Sequence, residues 1–431
     1  MEDDVFDVIV VGGGVAGCVA AYQLAEAGRS VVLLERAATP GGKNLSGGVL
    51  YCRVMEQVFP GFVDEAPVER RITRNCLSLL NESSCVTLDY WDARLAEPTN
   101  AVSVLRGKLD AWLAEQCEAA GVVVLPGVRV DGLLRDGDQF VGVRADEEKL
   151  TGRVVIVADG VNSFLARGAG IRAKEPPKHL AVGVKSVIGL PRQRLEERFA
   201  LSGRDGVTYA VVGDCTQGVA GGGFLYTNTD SVSVGVVLRL DDLAASGRSA
   251  SDIHDHFLSH PMVAKQLEGG TLLEYGCHLT IEAGPQAVCQ GLTRPGLMVV
   301  GDAAGFTLNT GFTIRGMDLA AASGLAAARA TDAALGAGDL TQRSMDRYRS
   351  ELAATFAGPD MKTYANAPVF FENRSLYREA SLLAADVMHG IYDLDTSPHS
   401  HLRGIVRRAV ARSPLSWREL AGLGFGAVRS L

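Results

Sequence analysis

A chain of 431 residues is too long for one mononucleotide-binding fold and suits two closely packed domains. Its hydrophobic share of 47% supplies a sizeable core, and its net charge of −8 argues against nucleic acid as a general partner. No apolar run approaches the roughly eighteen residues of a membrane span, and the acidic start Met1-Glu2-Asp3-Asp4 lacks the basic segment of a secretory signal.

The first apolar run, through Val8 and Val10, leads straight into Gly12-Gly13-Gly14-Val15-Ala16-Gly17. This is G-x-G-x-x-G in its required setting, with a strand before, a helix over 15–27 after, and a carboxylate, Glu35, about twenty residues on. Gly12 permits the turn, Gly14 lets the backbone approach a pyrophosphate, and Gly17 lets the helix lie close to the strand. The N–H groups opening that helix, Ala16 among them, face the phosphates. Glu35, with Arg36 beside it, suits a ribose. A dinucleotide is expected, and these residues leave NAD and FAD both open.

Further along, Arg106 precedes a helix over 108–120 that feeds a strand over 122–125. A buried strand over 154–157 ends in Asp159-Gly160. Strands follow over 180–188, 207–212, 223–226, 231–240 and 274–281, with alternation over 231–237 that predicts a half-buried strand. Gly221-Gly222-Gly223 reads as a hairpin turn with no dinucleotide helix after it. A helix over 250–268 carries His254, His256 and His260, read as surface histidines with no metal site. Tyr275, His278 and Glu282 lie on the strand that returns to the first domain. Tyr275 and His278 are the candidate proton donors there, with a buried Tyr and a hydrogen-bonded His as the plainer alternative, and His278 is the catalytic candidate. Another buried strand ends in Gly301-Asp302 and enters a helix.

These elements resemble, in order, the flavoproteins related to p-hydroxybenzoate hydroxylase and glutathione reductase. The resemblance implies FAD. It gives Asp302 the ribityl chain, Arg106 the phosphates, and Asp159-Gly160-Val161-Asn162-Ser163 a bracing role. It brings the backbone of Thr310-Gly311-Phe312, with Thr313, and a helix N-terminus to the N1–O2 edge of the flavin ring, where negative charge develops on reduction. Within this group, Pro40-Gly41-Gly42-Lys43-Asn44-Leu45-Ser46-Gly47-Gly48 and Leu308–Asp318, with Met361-Lys362-Thr363-Tyr364, resemble the FixC proteins, relatives of electron-transfer-flavoprotein:ubiquinone oxidoreductase. That implies a flavin-facing loop in which Lys43, Asn44, Ser46 and Gly47 meet the ring. Lys43, with Arg315 opposite, would raise the flavin potential. The oxygen-activating continuation of aromatic hydroxylases, the Pro of geranylgeranyl reductases and a second nucleotide motif are not reproduced.

The expected architecture is α/β: a Rossmann-like FAD-binding domain over 1–174 with its return segment at 291–335, an inserted, mostly antiparallel-sheet substrate domain over 175–290, and a helical C-terminal region over 336–431. The expected function is flavin-mediated dehydrogenation or electron transfer with an electron-transfer flavoprotein or quinone. The alternative is a small-molecule flavoenzyme: a dehydrogenase, ene-reductase or monooxygenase. No iron–sulfur spacing occurs among the cysteines, and the resemblance to FixC proteins implies that, in a relay to quinone, a cluster comes from a separate ferredoxin-like protein. The scattered cysteines fit a reduced, cytoplasmic protein. Leu402, Ile405, Val406, Ala409 and Val410 at helical spacing, flanked by Arg403, Arg407, Arg408 and Arg412, form a basic amphipathic helix. It suits peripheral membrane contact, an acidic protein partner, or packing on the body with its arginines in solvent.

Overall fold

The computed structural model describes residues 6–43, 47–288, 291–396 and 398–431. The expected Asn44 and Ser46 contacts, and Cys289, lie outside the described residues. In chain order the strands are β1 (Phe6–Val11), β2 (Val31–Glu35), β3 (Gly48–Tyr51), β4 (Val68–Leu80), β5 (Cys85–Trp91), β6 (Ala101–Val104), β7 (Val123–Pro126), β8 (Gly132–Asp136), β9 (Gln139–Ala145) and β10 (Glu148–Val157). Then come β11 (Leu180–Gly189), β12 (Asp205–Gly213), β13 (Gly221–Thr227), β14 (Ser231–Arg239), β15 (Thr271–Ile281), β16 (Thr293–Arg294), β17 (Leu297–Val299), β18 (Leu308–Asn309) and β19 (Ile314–Arg315).

The first sheet runs β16-β17-β10-β1-β2-β7, with β8 and β9 appended through β10. Its centre is parallel: Val8 faces Val31 on one side and Val154 on the other. Such strands are covered on both faces, hence the unbroken runs Val8–Val10 and Val154–Val157, all fully buried. The helix Val15–Glu26 leaves β1, and the long helix Met317–Ala337 packs against it. Segments 6–157 and 293–337 therefore share one core, although a second sheet separates them in sequence.

The second sheet runs β15-β11-β14-β13-β12-β4-β6-β3, with β5 on β4. It takes β3–β6 from residues 48–104 as well as β11–β15, and it is antiparallel except where β12 lies parallel to β4. Ser231–Val236 is buried on both faces rather than half-buried. Val232, Val234 and Val236 join the core, while Ser231 and Ser233 bind the Asn228 amide. The three glycines 221–223 open β13 instead of forming a turn, and the β13–β14 turn falls at 228–230. The segment 250–268 is two helices, Ala250–Ser259 and Pro261–Leu267, broken before Pro261.

Two of its histidines are interior, not surface. His254 is buried beside Ser186, with Nε2 at 3.3 Å from Oγ. His260 donates from Nε2 to the Asn81 carbonyl at 2.8 Å while Nδ1 accepts from Met262 N–H. His256 meets Asp214 at 2.6 Å. Cys18, Cys52, Cys76, Cys117 and Cys215 are buried free thiols, and Cys277 is exposed.

The C-terminal region is helical. Helix Leu402–Arg412 lays Ile405, Ala409 and Val410 against the body and leaves Arg403, Arg407, Arg408 and Arg412 exposed. Ile405 sits against Gly390 of the helix Glu379–Tyr392. No helix among the described residues is long and apolar enough to cross a membrane.

Candidate functional site

A cavity of about 1220 Å³ lies between the two sheets and under part of the C-terminal region. Gly12, Gly14, Ala16, Glu35, Arg36 and Arg106 line one end, Lys185, Gly223 and His278 the facing sheet, and Phe371, Tyr377 and Leu431 the closing side.

The glycine turn is sterically fixed. A Cβ on Gly12, which stands at φ +113°, would fall 2.2 Å from the Ala158 carbonyl oxygen, and one on Gly17 would fall 1.9 Å from the Gly12 oxygen. The helix that follows has Gly14 as its N-cap, with no side-chain cap and no acidic residue in its first turn. Its leading N–H groups are left for a ligand. Glu35 is held by two backbone donors, Gly13 N–H at 2.8 Å to Oε2 and Ala37 N–H at 2.7 Å to Oε1. Arg106, the first residue of helix Arg106–Ala119, forks onto buried Asp110 with two contacts of 2.8 Å. Burial opposes its charge, but Asp110 outweighs burial and holds the guanidinium pKa above its ordinary value.

Two further carboxylates face the same space. Asp159 Oδ2 accepts from Leu165 N–H at 3.0 Å, while its buried Oδ1 has no protein partner. Burial raises its pKa, and burial likewise raises that of Asp302 against the pull of Arg106. Ser163 Oγ donates to the Ala303 carbonyl at 2.9 Å, tying the Asp159-Gly160 segment to the Gly301-Asp302 turn. Arg172 clamps that turn from Nη1 to the carbonyls of Asp302 and Ala303. Gly301 stands at φ +59° against Ala16, which brings this turn onto the first helix.

At the other end, Gly47 packs under Ser233 and Tyr226. Thr310-Gly311-Phe312-Thr313 is the tip of the β18–β19 hairpin, closed by Thr310 N–H to the Thr313 carbonyl at 2.9 Å. It is not a helix N-terminus: the next helix begins only at Met317. Gly311 meets the Phe371 ring and Leu431, and Phe312 is largely exposed. Lys43 is exposed and directs Nζ to the Arg36 carbonyl at 3.4 Å, toward the Glu35 end of the cavity. Arg315 is held by Asp318 and Asp360, each at 2.6 Å, so two carboxylates offset its charge.

On the second sheet, His278 lines the cavity, and burial with the Lys185 and Arg106 charges lowers its pKa despite a contact from Nδ1 to the Leu279 carbonyl. Tyr275 does not line it. It is exposed on the far face, against the His254 ring. Two groups that sequence reasoning left without a role do line it. Lys185 stands 3.5 Å from the Gly47 carbonyl and 5.7 Å from the Phe224 ring centroid, and burial, then Arg106, lowers its pKa to about 8. Glu282 is kept above the usual carboxylate range by burial, although an Asn309 hydrogen bond and Arg239 oppose this. Lys185 had a visible signal, a lone cation in the apolar run Val182–Ile188. Phe371, Tyr377 and Leu431 had none, because only folding brings the C-terminal region to the cavity.

Uncapped helix N–H groups and a guanidinium supply donors for a diphosphate, and the Glu35 carboxylate and the orphaned Asp159 Oδ1 supply acceptors for hydroxyl groups, a set that fits a dinucleotide. The family model for FAD dependent oxidoreductases matches residues 7–171. The chain is 44% identical to the "Probable electron transfer flavoprotein-quinone oxidoreductase YdiS" of Escherichia coli, covering 94% of this chain and 95% of that one. It is 41% identical to "Protein FixC" of Escherichia coli, with 95% of each covered. Among solved structures, a geranylgeranyl bacteriochlorophyll reductase-like protein from Thermoplasma acidophilum superposes with a TM-score of 0.71 at 21% identity, covering 97% of this chain and 99% of that one. That last likeness is one of fold.

Proposed function

Because the chain belongs to the FixC family of FAD-dependent oxidoreductases, we propose that it draws electrons from an electron transfer flavoprotein and passes them to a quinone. The observation that carries this reading is the continuity of the cavity, from the dinucleotide cradle at Gly12–Gly17 to the apolar wall of the second sheet. Bound FAD supplies the chemistry of accepting and releasing electrons singly or in pairs. The chain's residues do the holding. The N–H groups after Gly14, with Arg106, take the diphosphate. Glu35, fixed by Gly13 and Ala37, takes the ribose hydroxyls, with Arg36 at the rim. Asp302 takes the ribityl hydroxyls, and Asp159-Gly160, tied down through Ser163, braces that turn. Gly47, Gly311, Phe312 and Thr313 border the ring, and Gly301 sets the approach of its turn to Ala16.

His278 is the proton-carrying candidate on the facing sheet, and burial with the Lys185 and Arg106 charges favours its neutral form. Lys185 puts a cation at the Gly47 loop, where Lys43 does not reach. A separate ferredoxin-like protein is a further candidate partner, and membrane contact is assigned to the C-terminal helix Trp417–Ser430 rather than to Leu402–Arg412, whose apolar face is already packed.

The test is anaerobic reduction of the purified protein, then stopped-flow mixing with a water-soluble quinone and, separately, with oxygen. Fast reoxidation by quinone with a sluggish oxygen reaction is expected. Fast oxygen consumption with quinone inert would move the protein to the small-molecule oxygenases. Unchanged turnover in His278→Ala would remove that residue from the mechanism.

A further inference from the structure

The part of the cavity away from the cradle is a chamber between the face of the second sheet and the C-terminal region. Leu77, Leu79, Val212 and Gly222 line the sheet side, and Phe371 and Tyr377 close it. Gly222 keeps the wall flat, since a Cβ there would lie 2.9 Å from the Val211 carbonyl. Such a slot suits a planar, apolar ring. Glu282, just past the end of β15, lines it.

The surroundings of Glu282 favour its protonated form more than those of an ordinary glutamate do. Asn309, whose Oδ1 accepts from Gly311 N–H at 2.8 Å, turns its amide N–H₂ to the Glu282 carboxyl, and this contact opposes protonation. Arg239 is the cation that lowers the Glu282 pKa, but it is bound to Asp241 at 2.7 Å and also feels Asp242, while His179 meets Glu282 through its backbone carbonyl, which accepts from Glu282 N–H at 2.9 Å. Asp242 is in turn taken by Arg374 and by Ala220 N–H. Tyr377 adds no donor, since its hydroxyl is given to the Phe371 carbonyl at 2.7 Å. Arg239 therefore lends Glu282 only part of its charge. Burial wins, and the carboxyl is held in its neutral form to higher pH than an ordinary glutamate.

We infer that Glu282 is the acid that donates a hydrogen bond, and then its proton, to a carbonyl oxygen of a quinone bound in this chamber. The inference rests on the electron-transfer reading above. The balance is as follows. Two electrons and one proton leave the reduced cofactor, one proton leaves the Glu282 carboxyl, and the quinone becomes the quinol. The Glu282 carboxylate, faced by Arg239, regains its proton from water. A neutral acid in an apolar slot makes the proton available without first admitting bulk solvent.

The test compares wild type with Glu282→Gln, which keeps shape and a donor N–H but carries no transferable proton. Reoxidation of the reduced protein is followed with a water-soluble quinone and with ferricenium, which takes electrons and no protons. Quinone reoxidation is expected to fall about a hundredfold in the variant, with ferricenium unchanged. In wild type the quinone rate is expected to fall as pH rises through the raised carboxyl pKa, and in Glu282→Gln that fall is absent. A second readout needs no turnover. The carboxyl C=O stretch that Glu282 contributes, taken as the infrared difference between wild type and Glu282→Gln at mildly acidic pH, is expected to shift when quinone is added. A variant with the wild-type quinone rate and pH profile, or a band that ignores quinone, overturns the role of Glu282 and leaves the electron-transfer reading standing. A wild type reoxidised by ferricenium but never by quinone overturns both.

Discussion

The backbone N–H of Gly13 donates to Glu35 Oε2 at 2.8 Å, so the carboxylate at the end of β2 is aimed by the same glycine turn that opens the diphosphate site. The two recognition groups of the cradle are thus one mechanical unit. Glu35→Ala removes the proposed ribose acceptor and frees the Gly13 and Ala37 N–H groups together. FAD affinity, measured by flavin fluorescence on reconstituting the apoprotein, is expected to fall about tenfold to a hundredfold, equivalent to roughly 1.5–3 kcal/mol.

Lys185 gives a stability prediction with a definite sign. Its folded pKa of about 8 lies below the ordinary lysine value of 10.5, so the folded apoprotein binds this proton less tightly than the unfolded chain does. The resulting penalty is complete below about 8 and disappears above about 10.5. At pH 7, Lys185→Met is therefore expected to be more stable than wild type with flavin removed, by up to roughly 3 kcal/mol. The gap should close as pH rises through that window, as thermal denaturation at a series of pH values would show.

The same lysine separates two ideas about flavin tuning. Lys43 is exposed and turned to the Arg36 carbonyl, whereas Lys185 is at the Gly47 loop in a low-dielectric setting. Lys185→Met is expected to make the flavin midpoint potential more negative, and Lys43→Met to leave it nearly unchanged. Spectroelectrochemical titration of both variants decides the matter.

Arg315 is a structural cation. Its guanidinium serves Asp318 and Asp360 and lies over the Tyr51 and Phe356 rings. Arg315→Met leaves buried Asp318 without its partner, and a cost of about 3–5 kcal/mol is expected. The melting temperature should drop sharply in both the flavin-loaded and the flavin-free protein.

The helix Trp417–Ser430 buries none of its residues, and Trp417, Phe425 and Val428 are 58%, 79% and 88% exposed. Flotation with anionic liposomes is expected for the full chain and lost in a chain cut before Trp417. Cutting before Ser400 should do no more than that. Flotation that survives the shorter cut would return the contact to the arginines of Leu402–Arg412.

Much of the nucleotide end was legible because its chemistry is local. Gly12, Gly14, Gly17 and Glu35 sit at a spacing that one strand–turn–helix unit enforces, and the runs Val31–Leu34 and Val154–Val157 announce parallel strands covered on both sides. The long-range pairings were not legible. Nothing in the sequence of β4 says that it lies beside β12, more than a hundred residues on, and so β3–β6 join the second sheet unannounced. The Thr310–Thr313 segment was misread as a helix start because the Gly301-Asp302 strand does enter a helix, but one that ends at Ala304 before the chain turns into a hairpin. Glu282 was passed over beside Tyr275 and His278, since strand parity alone does not say which side chains meet a wall supplied by residues 371–377.

Leu431 is part of the cavity wall, 3.4 Å from where a Cβ on Gly311 would stand. Any affinity tag or fluorescent fusion attached after it therefore begins at the edge of the flavin site rather than on a free end. A yellow colour or a turnover number taken from such a fusion would describe a cavity with an altered wall.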